Sequence, residues 1–156
     1  GPVYIRLFRR QAENVFDDDY EFDLGKADLL RDGSDVTLIA SGVCVANALQ
    51  AAETLAQEGV SARVLNIHTI KPIDADAVIK AASETGALVT AENHNVIGGL
   101  GSAVAEVLAE QRPTPLERVG VKDHFGQVGK APYLMGVFGI TAADIAKAAR
   151  KAIARK

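Results

Sequence analysis

With 156 residues, 48% of them hydrophobic and 24% charged, the chain has the composition of one globular domain large enough for a real core, which excludes disorder, collagen and coiled coil. Its 17 basic and 20 acidic residues leave a net charge of -3, so nothing draws it globally to nucleic acid or to an anionic membrane. A single cysteine, Cys44, excludes an internal disulfide and any zinc site built on two thiolates; without a signal-peptide pattern or an apolar run of about 20 residues, the expected location is cytoplasmic.

In chain order, residues 3–7 (Val-Tyr-Ile-Arg-Leu) predict a strand, and residues 8–25, with scattered charge and the run Asp17-Asp18-Asp19, predict a linker. A short apolar piece at 27–30 and a turn at Asp32-Gly33 lead into a continuous apolar strand over 36–40. Ser41-Gly42 opens a helix to about Glu58, with Val45, Leu49, Ala52 and Leu55 on one face and Gly59 as its stop. A strand follows over 60–67. Asp74 caps a helix over 75–85, Gly86 ends it, and the next strand covers 87–91. From Gly98 the spacing of Leu100, Val104, Val107 and Leu108 is helical until Arg112-Pro113 breaks it. A strand over 116–121 precedes a last helix that starts at a capping box, Thr141 to Asp144, and turns Ile145, Ala148, Ala149, Ala152 and Ile153 inward.

Strands alternating with helices of this length are joined by parallel crossovers, so the fold class is α/β: three layers, α/β/α, around a mainly parallel sheet of about five strands. Ligands and partners of such sheets meet the carboxyl ends of the strands. Those ends are polar here: Ser41-Gly42, His68-Thr69, Glu92-Asn93-His94-Asn95 and Lys122-Asp123-His124. His68, Glu92, His94, Asp123 and His124 therefore form a candidate functional edge. A carboxylate paired with a histidine could move a proton or hold a metal; the plainer reading is that these groups satisfy loop backbone and contact a neighbouring domain or subunit. No nucleophile stands at recognisable spacing, and His-x-x-x-His is absent.

Gly98-Gly99-Leu100-Gly101-Ser102 at a helix start could offer backbone N–H groups to a phosphate. Val104 replaces the third glycine of the dinucleotide pattern, however, and close packing of the helix N-terminus against another surface is the favoured reading of Gly98, Gly99 and Gly101. No P-loop occurs. Cys44, in the first turn of a helix, reads as a buried thiol. Lys71-Pro72-Ile73-Asp74 reads as a turn into a capped helix.

Six blocks in order carry a resemblance: Asp35-Val-Thr-Leu-Ile-Ala-Ser-Gly42, then Ala51 to Val60, Arg63-Val-Leu-Asn-Ile67, Lys71-Pro-Ile-Asp74, Glu92-Asn-His-Asn-Val-Ile-Gly-Gly-Leu-Gly-Ser-Ala-Val104, and Gly120-Val-Lys-Asp123 with Phe125-Gly126. Together they resemble the C-terminal domain of transketolases over nearly the entire chain. The β subunits of 2-oxo acid dehydrogenases and 1-deoxyxylulose-5-phosphate synthase share that domain and the Lys/Arg-Pro-x-Asp turn; the Glu-x-His and Gly-Val-Lys-Asp-x-Phe-Gly blocks favour transketolase. Residues 1–25 are similar to the final strand and linker of a preceding pyrimidine-binding domain, with 26–156 as the C-terminal-like domain.

The resemblance implies a transferase that moves a two-carbon ketol unit between phosphorylated sugars, using thiamine diphosphate and Mg, as a homodimer. It places a substrate-phosphate arginine on Arg9, whose planar guanidinium suits phosphate oxygens. The diphosphate- and pyrimidine-binding domains are not expected within 156 residues. The fragment is then expected to hold no cofactor, to be structural, interfacial and inactive alone, and to have the preceding domains or an N-terminal subunit as partners. An alternative of another class is a free-standing ligand- or partner-binding module that uses His68, Glu92, His94 and His124.

Overall fold

The structure, a computed structural model, describes residues 1–5 and 12–156. Its five strands are β1 (Asp28–Arg31), β2 (Val36–Ala40), β3 (Ala62–Asn66), β4 (Leu88–Asn95) and β5 (Leu116–Val121). They lie in the order β1-β3-β2-β4-β5. All neighbours are parallel except β1 with β3, whose antiparallel register sets Asp28 opposite Asn66. The three-layer α/β fold expected from the alternation is therefore present, with one antiparallel edge strand.

β2 lies centrally because all five of its residues are buried on both faces, which a Val-Thr-Leu-Ile-Ala run tolerates. Helices α1 (Cys44–Gln57) and α5 (Ala142–Ile153) pack together on one face, and α2 (Ala75–Thr85) and α3 (Leu100–Gln111) on the other. The core is correspondingly double. Leu38, Val64 and Val89 face Leu55 and Ile145 on the first side; Ile39, Leu65 and Leu88 face Val78, Val104 and Leu108 on the second. No helix among the described residues is long and apolar enough to cross a membrane.

Local sequence accounts for most boundaries. The Asp74 carboxylate accepts from Ala77 N–H at 3.1 Å to start α2, and Gly86 ends it in the left-handed conformation (φ 66°). Thr141 and Asp144 form both halves of a capping box on α5.

Four expectations change. Helix α1 begins at Cys44 rather than at Ser41-Gly42, because Gly42 takes φ 55° and the chain must turn before the helix can propagate. Strand β4 runs on to Asn95, past Ala91, because Asn95 pairs with Val121 beyond a register shift; Glu92 and His94 thus lie within the strand, not after it. Residues 3–5 are exposed and form no strand, so the strand expected over 3–7 is absent from its described part, which gains no neighbour. Finally α4 (Ala131–Val137), where the sequence pattern predicts no element, forms with Pro132 in its first turn, where the missing N–H costs nothing. Residues 12–25, expected as linker, contain no helix or strand and lie against the sheet edge.

Candidate functional edge

The chain leaves β2 for α1 on one face of the sheet and leaves β4 for α3 on the other, so a crevice opens between the carboxyl ends of these adjacent strands. Glu92 is the buried charge of this edge. One of its carboxylate oxygens accepts from Leu100 N–H at 2.8 Å and the other from Gly101 N–H at 2.8 Å. Strand β4 thereby supplies the anion that the N-terminus of α3 attracts, and the N–H groups that could have received a phosphate are occupied. The glycines follow from that contact. A Cβ on Gly99 would overlap Glu92 Oε2, and one on Gly101 would lie 2.8 Å from Thr90 Oγ1 and 2.8 Å from Arg118 Cδ. Gly98 has open space around it but takes φ 74°, the left-handed turn that aims the chain into the helix.

His94 does not use Glu92. Its Nδ1–H donates to the Asn95 carbonyl at 2.8 Å, while Glu92 Oε2 is 3.9 Å away, beyond hydrogen-bond reach. Asn95, which no sequence argument singled out, joins two loops: its Oδ1 accepts from Ile97 N–H at 2.8 Å and its Nδ2 donates to Asp123 Oδ1 at 3.0 Å. The first of these bonds is an Asx turn, a signal legible in Asn95-Val96-Ile97. Asp123 is the one non-glycine residue with positive φ (55°) among those described, and the Asn95 amide holds it there.

His94 and His124 face a common cavity of about 420 Å³ whose floor is apolar, with Leu134, Met135, Phe138 and Ile140. His68 belongs to a different cavity, lined also by Phe16, Asn47 and Asn66. Its Nδ1 pairs with Thr69 Oγ1 at 2.8 Å, Phe22 packs on its ring, and its buried Nε2 has no hydrogen-bond partner, Asp28 Oδ2 standing 4.0 Å away. Asp28 is already engaged by the Tyr20 hydroxyl at 3.1 Å and by Asn66 Nδ2 at 2.9 Å. Thr69 Oγ1 also accepts from Gly25 N–H at 3.2 Å. Residues 16–25 are thus strapped to the carboxyl end of β3 through Asp28, His68 and Thr69; the contacts to His68 and Thr69, like that of Asn66 to Asp28, join residues far apart in sequence, which is why sequence reasoning does not find Phe22 and Asn66.

Among the described residues, then, the structure brings Glu92 to Gly99 and Gly101, brings His94 near His124, joins Asp123 to Asn95, and leaves His68 apart. Cys44 is fully buried; burial pushes its thiol up to about 12, with the nearby charge of Glu92 adding to the effect. It is no nucleophile at neutral pH. No group of three or more His, Cys, Asp or Glu among the described residues could hold a metal ion. Arg9 lies outside the described residues. The edge thus presents hydrogen-bonded loops and an apolar cavity, with no assembled proton-transfer pair among the described residues.

The family described as "Transketolase, C-terminal domain" matches residues 25–145. The chain belongs to the transketolase C-terminal domain family. Across its full length it is 58% identical to a 6-deoxy-6-sulfo-D-fructose transketolase subunit of Clostridium sp. (strain MSTE9), covering 48% of that protein. It is 42% identical over 149 residues to an apulose-4-phosphate transketolase subunit of Phocaeicola vulgatus, covering 95% of this chain and 47% of that one. Among solved structures, one described as a split gene transketolase, inactive beta4 tetramer, superposes with a TM-score of 0.89 at 46% identity over 92% of this chain and 47% of that one. This transketolase C-terminal domain spans about half the length of the curated relatives it matches.

Proposed function

We propose that the chain serves as the structural and interfacial C-terminal part of a thiamine diphosphate-dependent transketolase that moves a two-carbon ketol unit between phosphorylated sugars. The supporting observation is the pairing of near-complete matches to transketolase subunits with a span of only about half their length. Residues outside the matched portion are left to hold the cofactor, which supplies the carbanion chemistry when bound. The proposal assigns neither that cofactor nor its metal to this chain. What this chain does is position: Glu92 and Asn95 fix the loops after β4 and β5, and the strap over 16–25 fixes the approach from the preceding domains.

Residues 1–25 are proposed to continue from a pyrimidine-binding domain, with Arg9 reaching the substrate phosphate, and the assembled enzyme is proposed to be dimeric and cytoplasmic. Self-association of this chain is proposed by analogy with the split gene relative described as a beta4 tetramer. The division of labour is tested by calorimetry with thiamine diphosphate and Mg. The 156-residue chain alone should give no binding heat, and the intact enzyme that carries it should bind both; low-micromolar affinity in the chain alone would reverse the assignment.

A further inference from the structure

Among the described residues, two buried side-chain polar atoms have no hydrogen-bond partner, and one of them belongs to a group that can change its charge: Nε2 of His68. A buried polar atom left unpaired is costly, so its presence calls for a reason. The ring is pinned at its other nitrogen, where Nδ1 meets Thr69 Oγ1 at 2.8 Å, and on its face, where Phe22 packs with ring centroids 4.4 Å apart. Nε2 faces Asp28 Oδ2 across 4.0 Å, with the two side chains only 16% and 19% exposed. Neither tautomer of the neutral ring gives Nε2 a partner, because that gap is too wide for a hydrogen bond. The imidazolium ion differs. Both its nitrogens donate, Nδ1 to the Thr69 hydroxyl and Nε2 toward a carboxylate that a closure of about 1 Å brings into charge-assisted range.

The strap over 16–25 is held at this pair and its neighbour Thr69. The Tyr20 hydroxyl binds Asp28 at 3.1 Å, Phe22 lies on the His68 ring, and Gly25 N–H donates to Thr69 Oγ1 at 3.2 Å. The strap carries Asp17, Asp18, Asp19, Glu21 and Asp23 and no base, so its charges repel one another and gain from a cation beneath them. Around His68, β1 contributes Asp28, and Glu13 lines the same cavity; Asn47 of α1 and Asn66 of β3 are neutral there, and α4 contributes only Ala131, Pro132 and Met135. The bases next in sequence are Lys26 after the strap, Lys71 after His68 and Lys130 before α4. Carboxylates and lysines keep their charges between about pH 5 and pH 8, the range in which histidines change theirs. His94 and His124 face the other cavity.

We propose that His68 and Asp28 form a proton-operated latch for the acidic strap. When His68 is protonated, Nε2 closes on Asp28 and the strap is held more firmly to the carboxyl end of β3; when His68 is neutral, only the hydrogen bonds and the packing of Phe22 hold it. The existing bonds survive the change. The Asp28 carboxylate has lone pairs beyond those used by Tyr20 and Asn66, and Thr69 Oγ1 can accept from Gly25 N–H and from Nδ1–H together. Phe22 gains as well, since its ring then lies against a cation. The latch uses only this chain's own residues and depends neither on ketol transfer nor on the role of Arg9.

The test is amide hydrogen exchange of residues 17–25 in the intact protein that carries this chain, read by mass spectrometry at about pH 8 and about pH 5.5 and corrected for the intrinsic pH dependence of exchange. In the unchanged protein, protection of the strap should rise at least about threefold on acidification, the effect of an ion pair toward the strong end of the exposed range. His68→Gln keeps a hydrogen-bonding head but takes up no proton, and should show no rise. Asp28→Asn keeps an acceptor for Tyr20 but no charge, and should lose more than half of the rise. Amides of β2, measured in the same samples, separate an effect on the strap from one on the whole fold. Strap protection in the unchanged protein that stays level or falls on acidification would overturn the latch and leave His68 a purely structural role. So would a rise that persists in His68→Gln, or one of which Asp28→Asn keeps half or more, because the charge would then lie elsewhere.

Discussion

Glu92 shows how much one buried carboxylate organises. It ends the apolar part of β4, caps α3 with two charge-assisted bonds and dictates glycine at position 99. Replacing it by glutamine keeps one acceptor and loses the charge, so Glu92→Gln should cost about 1–2 kcal/mol in denaturant unfolding. Gly99→Ala should cost more, about 2–3 kcal/mol, because the new methyl displaces the carboxylate from the helix end. A Gly99→Ala variant as stable as the parent would show that the contact is slack. Cys44 offers a second check at this scale: with its thiol held at about 12 and buried, alkylation of the native protein at pH 8 should be at least about a hundredfold slower than after denaturation. In the intact enzyme, Arg9→Ala should lower kcat/KM for phosphorylated sugars by about 1.5–3 kcal/mol while sparing unphosphorylated ones; equal losses for both would return Arg9 to an ordinary linker charge.

The elements were legible where the sequence carries its own punctuation. Asp74 and Gly86 bracket α2, and Thr141 with Asp144 opens α5, because caps and left-handed stops act within a few residues. The antiparallel placement of β1 was not legible, since Asp28 is set opposite Asn66 by a pairing across 38 residues. Helix α4 escaped for another reason: Gly129, Pro132 and Gly136 in one stretch leave little helical signal, whereas the structure puts Pro132 in the first helical turn. The edge showed the same division. The Gly99-x-Gly101 spacing announced a close backbone approach, but nothing local said that Glu92 was the group approached.

Helix α5 is also held to its neighbours by charge. Arg150 binds Glu58 at 2.5 Å and 2.8 Å, and Lys151 with Arg155 binds Glu117 at 2.8 Å and 2.5 Å. The Arg150 guanidinium holds the exposed Glu58 carboxyl below its ordinary range. Partial burial pushes Glu117 the other way, but Lys151 and Arg155 bring it below its ordinary value as well. Both groups take up a proton less readily folded than unfolded, so their contribution is fully present above the unfolded glutamate value of about 4.3 and is lost as pH falls through the lower folded values. The denaturation midpoint should therefore be flat near neutrality and fall below about pH 4.5, with a shallower fall in Glu117→Gln. A midpoint that rises on acidification would contradict the pairing.

At the scale of the whole molecule, the two-faced sheet closes a core on each side without help from other domains, so the chain should unfold in one cooperative thermal transition. Its described surface carries hydrogen-bonded loops, a strap over the sheet edge and the exposed Phe125 and Val128. The most direct measurement of the transketolase reading is ketol transfer from a ketose phosphate to an aldose phosphate, with thiamine diphosphate and Mg supplied, run in parallel on the intact protein that carries this chain and on the 156-residue chain by itself. The intact protein should turn over and the chain alone should not. No transfer by the cofactor-saturated intact protein, or turnover by the chain alone, would contradict the account.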